Sequence, residues 1–285
     1  MDNRRQGIIY IIMAAFFFAL MNLFIRLSGD VPTMQKCFFR NAVAAVFAAA
    51  VLIKEGKGFR PKKGNVKYLF LRAVLGTAGL ICNFYAVDRL NIADASVLNK
   101  LSPFFAIICS VFILGEYADK VEWALVITAF AGALFVVKPT FSGGSVPALI
   151  GLAGGFFAGA AYTFVRKLGQ RGERGPLIVL FFSLFSCLCT VPQLIFNYSP
   201  VSGKQLLFLI LTGLAAAGGQ FSITAAYTKA PAKEISVYDY TQVIFAALMG
   251  FAFLGQVPDI LSVVGYVIII AAAIIKWRYS NKKDA

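Results

Sequence analysis

Histidine is absent from all 285 residues, so the chain lacks the commonest metal ligand and the commonest proton carrier near neutral pH. Charged residues are also scarce, at 14% of the total, and only 13 of them are acidic. Hydrophobic residues make up 59% of the chain, which leaves too little polar sequence for a soluble domain. These shortages exclude an ordinary soluble protein and favour one that folds in a lipid bilayer.

The residues that enzymes and metal sites require are missing as well. The five cysteines fall inside apolar runs without metal-ligand spacing, which predicts packing roles for them. The sequence shows no serine–base pair, no two carboxylates on one helix face and no glycine-rich nucleotide loop. We therefore predict no enzyme activity, no catalytic residues, no metal site and no cofactor.

The hydrophobic residues form ten runs, each long enough to cross the bilayer as a helix of roughly 20 residues. The runs do not alternate apolar with polar residues, as the strands of a membrane barrel do. The predicted spans are 7–27, 32–54, 67–87, 93–114, 121–138, 146–166, 176–197, 205–228, 233–254 and 258–277. The fold class predicted is an all-α membrane protein with ten transmembrane helices.

Positive charges are distributed unevenly between the loops. If the N-terminus is cytoplasmic, clusters of lysine and arginine at 54–67 and 276–283 lie inside, whereas Arg89, Lys138 and Lys204 lie outside. This positive-inside pattern predicts a multi-pass protein of the cytoplasmic (inner) membrane, with both termini cytoplasmic and an even number of spans. The net charge of +14 follows the topology, so we predict no nucleic-acid partner.

Shifting the sequence by 140 residues brings its two halves into register. The matches include Phe16, Phe17, Phe24 and Arg26 with Phe156, Phe157, Phe164 and Arg166, then Ser96 and Val97 with Ser236 and Val237, and Leu114, Gly115 and Asp119 with Leu254, Gly255 and Asp259. We predict two repeats, residues 1–140 with five helices and residues 141–285 with five more. An odd number of helices per repeat makes the repeats inverted, an architecture typical of secondary transporters with a substrate site near mid-membrane.

Two local patterns bear on helix packing. Gly151, Gly155 and Gly159 form a stripe of small residues on span 6, suited to close backbone contact, either as static packing or as a sliding interface. Pro103 lies inside span 4, where we expect it to kink the helix. Its counterpart in the second repeat is Val243, so the repeats differ at this point.

Polar residues inside the spans are candidates for the substrate site, because each costs free energy unless it meets a cavity or a partner. Lys36 and Arg40 are four residues apart on span 2 and therefore share a face. Asn99 on span 4 matches Asp239 on span 9 by register, which places polar groups of both repeats at one depth. The predicted substrate-binding residues are Lys36, Arg40, Asn83, Tyr85, Asn99, Lys100, Ser102, Tyr162, Gln220, Tyr238, Asp239, Tyr240 and Gln242.

Deep cations outnumber deep carboxylates, since Lys36, Arg40 and Lys100 face only Asp239. One interpretation is that an anionic or carboxylate-bearing ligand balances them. The other is a buried ion pair between Lys100 and Asp239, with Lys36 reaching towards the outer surface. Arg72 lies close to the beginning of span 3 and is expected to reach the membrane surface in the same way.

Two motifs and one arginine point to a known family. The pattern SPFFA at 102–106 followed by LGE at 114–116 recurs as QVIFA at 242–246 followed by LGQ at 254–256, and Arg40 lies in the segment FFRN. With the two five-helix repeats, these features resemble the EamA branch of the drug/metabolite transporter superfamily. The resemblance implies a ten-helix fold and transport by alternating access without ATP.

The sequence departs from that family in the second repeat, where Val243 replaces proline and Gln256 replaces glutamate. Lys100 matches no residue of the family pattern. Since the family handles many substrates, the resemblance implies transport but does not name the substrate.

We hypothesise a carrier for a small anionic or carboxylate-bearing metabolite, such as an amino acid, an organic acid or a nucleotide-like compound. Lys100 and Arg40 would attract its negative group, and Asp239 would bind an amino group or a proton. Coupling to protons would use Asp239, Asp94 or Glu234, while exchange for a counter-substrate is the other possibility.

The alternative is export of cationic or aromatic drugs or amino acids through Asp239 and the tyrosines. A membrane-embedded enzyme is less favoured. The expected partners are the lipid bilayer and the substrate, and the expected functional unit is a monomer.

Overall fold

The structure, a computed structural model, describes residues 3–56, 58–89, 98–137, 145–255 and 257–284. Within these residues every regular element is a helix. The helices are α1 (Asn3–Leu27), α2 (Thr33–Glu55), α3 (Val66–Arg89), α4 (Ser102–Leu114), α5 (Lys120–Val137), α6 (Ser145–Gln170), α7 (Gly175–Phe196), α8 (Gly203–Lys229), α9 (Ala232–Asp239), α10 (Thr241–Leu254) and α11 (Ile260–Asp284). The prediction of an all-helical fold is confirmed.

The helices follow the apolar runs of the sequence. In the described part of the chain, 8 segments are long and apolar enough to cross a membrane, with α9 and α10 forming one of them. The other two predicted spans, 93–114 and 121–138, correspond to α4 with 13 residues and α5 with 18. Residues 90–97, where span 4 was expected to begin, lie outside the described residues. The chain is therefore a multi-pass membrane protein.

The last helix is longer than predicted, because α11 continues to Asp284 instead of ending at residue 277. Polar contacts support the extension: the Tyr279 hydroxyl donates to Asp119 Oδ2 at 2.9 Å. Hydrophobicity marks only the part of a helix that lies in lipid, so it does not detect a polar turn that continues beyond it.

The beginning of α1 and the end of α11 lie side by side. Arg4 Nη2 donates to Asn281 Oδ1 at 3.2 Å, and Arg4 Nε lies 3.4 Å from Glu234 Oε2 at the beginning of α9. Lys233 next to it donates to the carbonyl of Tyr117, just after α4, at 2.7 Å. We call this end of the bundle the terminal face. Two ends of the chain on one face require an even number of membrane crossings.

Two predicted spans are interrupted at positions 140 residues apart. Tyr240 separates α9 from α10, and residues 98–99 are helical before a break at residues 100–101 and the beginning of α4. Pro103 lies in the first turn of α4, where its missing N–H is not needed. The first interruption lies where a kink at Pro103 was predicted, and the second repeat is interrupted at the same point without a proline. Leu101 and Tyr240 keep helical backbone angles, so only the helical hydrogen bonding is interrupted there.

The ends of α4 and α10 are also equivalent, which explains the Leu-Gly part of the motif. Gly115 follows α4 with a φ of 69°, and Gly255 follows α10 with a φ of 67°. Only glycine adopts this left-handed conformation readily, and it closes the last helical turn there.

The helices pack in pairs that the repeat relationship exchanges. α1 packs against α8 as α6 packs against α3, and α4 packs against α6 as α10 packs against α1. α2 contacts α8 as α7 contacts α3. The pairs α2 with α7 and α5 with α11 each join two equivalent helices, one from each repeat, so the exchange leaves them unchanged. Exchanging the first five helices for the remaining six thus reproduces this set of contacts.

The glycine stripe of α6 faces the interrupted span 4. A Cβ added at Gly159 would lie 2.6 Å from the Ser102 carbonyl oxygen and 2.7 Å from the Ala106 nitrogen. At Gly155 it would lie 2.5 Å from the Leu98 carbonyl oxygen. The stripe therefore allows backbone to lie directly against α6, which a larger residue prevents.

We expect Gly159→Ala to destabilise the protein by about 1–3 kcal/mol, because its Cβ overlaps backbone atoms that cannot rotate away. The matched control is Gly203→Ala, since a Cβ there has nothing within 4 Å. Thermal melting of both variants in detergent checks this. Equal melting temperatures for the two variants would show that the α6 contact tolerates a methyl group.

Candidate functional site

A buried ion pair joins the two helix breaks. Lys100 Nζ lies 3.1 Å from Asp239 Oδ2 and donates to Gln242 Oε1 at 2.6 Å. Lys100 and Asp239 are 8% and 6% exposed, so the pair is almost withdrawn from solvent. The structure brings these three predicted residues together, and it favours the ion-pair interpretation for Lys100.

Tyr240 supports the same junction through the backbone. Its hydroxyl donates to the carbonyl oxygen of Lys100 at 3.0 Å, and its side chain is fully buried. A helix break in a bilayer leaves carbonyl groups without their helical partners, so a side-chain donor is needed there. Tyr240 therefore stabilises the break in one repeat from the break in the other.

A second predicted tyrosine contributes a flat aromatic surface beside this pair. The ring of Tyr162 on α6 stacks on Tyr227 of α8, with 4.9 Å between centroids and 15° between planes. The Tyr162 hydroxyl lies within electrostatic range of Asp239. Tyr227 was not predicted, and only its position one residue before the end of the predicted span 205–228 distinguishes it in the sequence.

Arg40 of α2 is buried, with 5% exposure, and its described partners are neutral. Nε donates to the sulfur of Met21 at 3.2 Å, and Nη1 donates weakly to Asn41 Oδ1 at 3.5 Å. No described carboxylate lies within ion-pair distance of it. The Arg40 charge lies within electrostatic range of Tyr162 on α6.

Arg72 is a buried cation, although its position near the beginning of the third span predicted an exposed one. It is 2% exposed, Nη2 donates to Gln220 Oε1 at 3.1 Å, and the guanidinium lies 4.0 Å from the ring centroid of Phe182. The prediction that Arg72 reaches the membrane surface is therefore wrong. Counting turns from a helix end gives depth but not direction, and only the packing of α7 and α8 shows that the side chain turns inward.

Lys36 is not part of this cluster. It lies in the first turn of α2 and donates to the carbonyl of Gly29 at 2.8 Å. Its shared face with Arg40 does not bring the two side chains to one place, because each points to a different depth. Lys36 thus reaches the membrane boundary, as the second sequence interpretation predicted.

The remaining predicted residues have no described polar contact to this cluster. Asn83 and Asn99 are half-buried, Ser102 is buried, and the Tyr85 ring lies 3.9 Å from the guanidinium of Arg89. Tyr238 is buried, and its hydroxyl has no hydrogen-bond partner among the residues described. Of the proposed proton carriers, Glu234 lies at the terminal face and Asp94 lies outside the described residues.

Polar contacts close the bundle at the terminal face. Glu116 Oε1 accepts hydrogen bonds from Arg166 Nε at 3.1 Å and Gln170 Nε2 at 3.0 Å. Arg166 also donates to the carbonyl of Thr228 at the end of α8, at 3.3 Å. α6 and α8 are therefore held together there. α1 and α3, their counterparts in the repeat, do not pack extensively against each other in the described part of the chain.

Two described pockets lie away from the charged cluster. A groove of about 510 Å³ between α2 and α7 has an apolar lining, formed by Ala45, Val46, Ala49, Phe59, Leu177, Leu180, Phe181 and Leu184. A smaller pocket of about 180 Å³ includes Gln35 and Asn197 at the opposite face. Neither is lined by Arg40, Arg72 or Lys100, so we define the candidate site by its buried charges.

The sequence matches the EamA-like transporter family twice, over residues 5–138 and 146–277. It is 31% identical to the pseudopaline exporter CntI of Pseudomonas aeruginosa, over 96% of both chains. It is also 28% identical to human solute carrier family 35 member G1, over 97% of this chain and 81% of that protein.

A solved crystal structure has a similar fold, with a TM-score of 0.82 and 15% sequence identity. The similarity covers 95% of this chain and 97% of that one. At this identity the comparison establishes the helical arrangement alone.

We expect the Lys100–Asp239 pair to be strongly coupled. Lys100→Met leaves a buried carboxylate unpaired and Asp239→Leu leaves a buried ammonium unpaired, and each change should cost about 3–5 kcal/mol. The double variant removes both charges and should be more stable than either single one. A double-mutant cycle from thermal melting measures this coupling.

The control for this cycle is Glu55→Gln, which removes a partly exposed partner of Arg174 at 3.7 Å. Such pairs contribute about 0–1 kcal/mol, so this change should have little effect. Additive losses in the double variant would contradict a coupled pair between the helix breaks.

Proposed function

The chain belongs to the EamA-like transporter family, and on this basis we propose that it carries a small anionic or carboxylate-bearing metabolite across the cytoplasmic membrane. The family and the relatives are transporters and not enzymes. Membership of the family establishes transport, and the anionic substrate class is our proposal.

The observation that carries the proposal is the environment of Arg40. A buried guanidinium costs free energy unless an anion compensates it, and its described partners are a thioether and an amide. Lys100 is neutralised by Asp239, whereas Arg40 has no such partner among the residues described. An anionic substrate would supply the missing charge, and arginine is well suited to bind a carboxylate through two parallel hydrogen bonds.

For the architecture, we propose ten spans in two inverted repeats, residues 1–140 and 141–285. The exchange of packing pairs and the two chain ends on one face support it. Alternating access would open the terminal face by separating α6 from α8, and would close the opposite face by bringing α1 and α3 together. Because one chain supplies both repeats, we propose a functional monomer.

The competing hypothesis is a carrier for cationic or aromatic compounds at Asp239 and the tyrosines. The stacked pair of Tyr162 and Tyr227 favours a planar ligand. The position of Asp239 disfavours a cation, since Lys100 already occupies that carboxylate. We therefore expect Asp239 to act on the substrate through Lys100 or through a proton.

We predict that carboxylates raise the melting temperature of the purified protein, because a ligand that binds only the folded state stabilises it. Acetate, succinate, glutamate and lactate are suitable probes, with tetraethylammonium as the cationic comparison. Arg40→Gln should abolish the carboxylate shift. The matched control is Lys54→Gln, which removes an exposed cation from the same helix.

Stabilisation by tetraethylammonium alone, retained in Arg40→Gln, would contradict an anionic substrate and support the competing hypothesis. Any stabilising compound should then be tested for transport in proteoliposomes in both directions. The pseudopaline exporter moves its substrate outward, which makes efflux the first direction to measure.

We also propose that both termini are cytoplasmic, from the excess of lysine and arginine at the terminal face. A fluorescent protein fused after Ala285 should therefore fluoresce, and alkaline phosphatase fused after Ser202, beyond α7, should be active. The reverse activities in the two fusions would show the opposite orientation in the membrane.

A further inference from the structure

Arg72 is held in a fixed position by three helices. It lies in the second turn of α3, its Nη2 donates to Gln220 of α8, and its guanidinium faces the ring of Phe182 on α7. Cation–π contact and a neutral acceptor orient the group without removing its charge. Arg72 is therefore a positioned cation and not a neutralised one.

Most of the Arg72 N–H groups have no acceptor among the residues that the structure describes. A guanidinium carries five N–H groups, and among the residues described only Nη2 has an acceptor, while Nε is buried without one. Unsatisfied buried donors are costly, so such an arrangement favours a ligand that accepts hydrogen bonds.

The direction of the side chain supports the same conclusion. An added Cβ at Gly76, one turn further along α3, would collide with Arg72 Nη1. The guanidinium thus extends towards the C-terminal end of α3 and into the bundle. Helical side chains usually point to the N-terminal end, which here leads to the segment 58–65 before the helix. The absence of a side chain at Gly76 makes room for the inward position.

The partners of the two arginines lie close together. Gln220, the acceptor for Arg72, follows Gly219, where an added Cβ would lie 2.5 Å from Phe18 of α1, and Phe18 is one turn before Met21, the partner of Arg40. Both arginines also lie within electrostatic range of Tyr162. In the described part of the chain neither arginine has a carboxylate partner, and Lys100 already uses Asp239. This region therefore holds two positive charges without compensation. Like charges brought together in a buried site destabilise the protein until an anion binds.

We propose that Arg40 and Arg72 form a two-cation site and that the transported substrate carries two anionic groups, as a dicarboxylate does. Each guanidinium would bind one acidic group, and the Tyr162 hydroxyl would be available as a neutral donor. The inference rests on the proposed function, because it assigns the number of charges on the anionic substrate.

The test compares two acids of equal chain length, butyrate with one carboxylate and succinate with two. Succinate should raise the melting temperature of the purified full-length protein more than butyrate does at equal concentration. In Arg72→Met, the succinate shift should fall to the butyrate shift. Lys67→Gln is the matched control, since it removes an exposed cation from α3 and should preserve the difference.

The melting temperature without ligand separates a binding role from a structural one. Replacing an uncompensated buried cation by methionine should leave that temperature unchanged or raise it. A lower temperature without ligand, together with an unchanged difference between succinate and butyrate, would overturn the inference.

Other results distinguish this inference from the proposed function. If neither acid stabilises the protein, the anionic substrate itself is wrong and the inference falls with it. If both acids stabilise equally and Arg40→Gln abolishes both shifts, the function stands and the two-charge substrate is wrong.

Should Arg72→Met fail to fold, Arg72→Lys provides the measurement. Lysine keeps the charge but lacks the planar fork, so succinate binding should weaken relative to butyrate. An unchanged pair of shifts in Arg72→Lys would overturn the inference.

Discussion

Moving a charged side chain from water into a bilayer costs several kcal/mol, and this penalty organises the centre of the protein. The ion pair of Lys100 with Asp239 meets the constraint by joining two charges from opposite repeats. Both lie where a helix is interrupted, so the pair also connects two segments whose backbone bonds are broken. Tyr240 completes the junction by donating to the carbonyl of Lys100. The two buried charges therefore compensate each other at the same place where a backbone carbonyl receives its hydrogen bond.

The repeat relationship explains why the breaks meet there. In inverted repeats, equivalent positions lie at equal distances on opposite sides of the mid-plane. Interruptions 140 residues apart therefore meet at one depth if both lie near the mid-plane. The same relationship gives α4 and α10 identical glycine ends and gives the helices exchangeable packing partners. The symmetry is incomplete at the terminal face, where Glu116 and Arg166 help to hold α6 and α8 together. A difference of this kind between two equivalent helix pairs is what a carrier needs in order to expose one side at a time.

The two buried arginines differ from the ion pair because their charges are not compensated by a described carboxylate. Lys100 and Asp239 compensate each other, whereas Arg40 and Arg72 have neutral neighbours in the described structure. Stability alone gives no reason to keep such cations, since apolar residues of similar volume would pack at lower cost. Their presence is explained if the compensating charge belongs to the substrate and is present only during transport.

The sequence by itself determined the membrane class, the positions of the helices and the repeat register, because hydrophobic length and residue spacing are local properties. It also identified Lys100, Asp239 and Gln242, which the structure brings into contact, since a polar residue within an apolar run is visible without a structure. It did not determine where Arg72 points, that Lys36 lies apart from Arg40, or that the helix is interrupted at Tyr240 without a proline. These features depend on which helices are neighbours. Only the tertiary structure decided them, because the direction of a long side chain is set by the space and the partners that other helices provide.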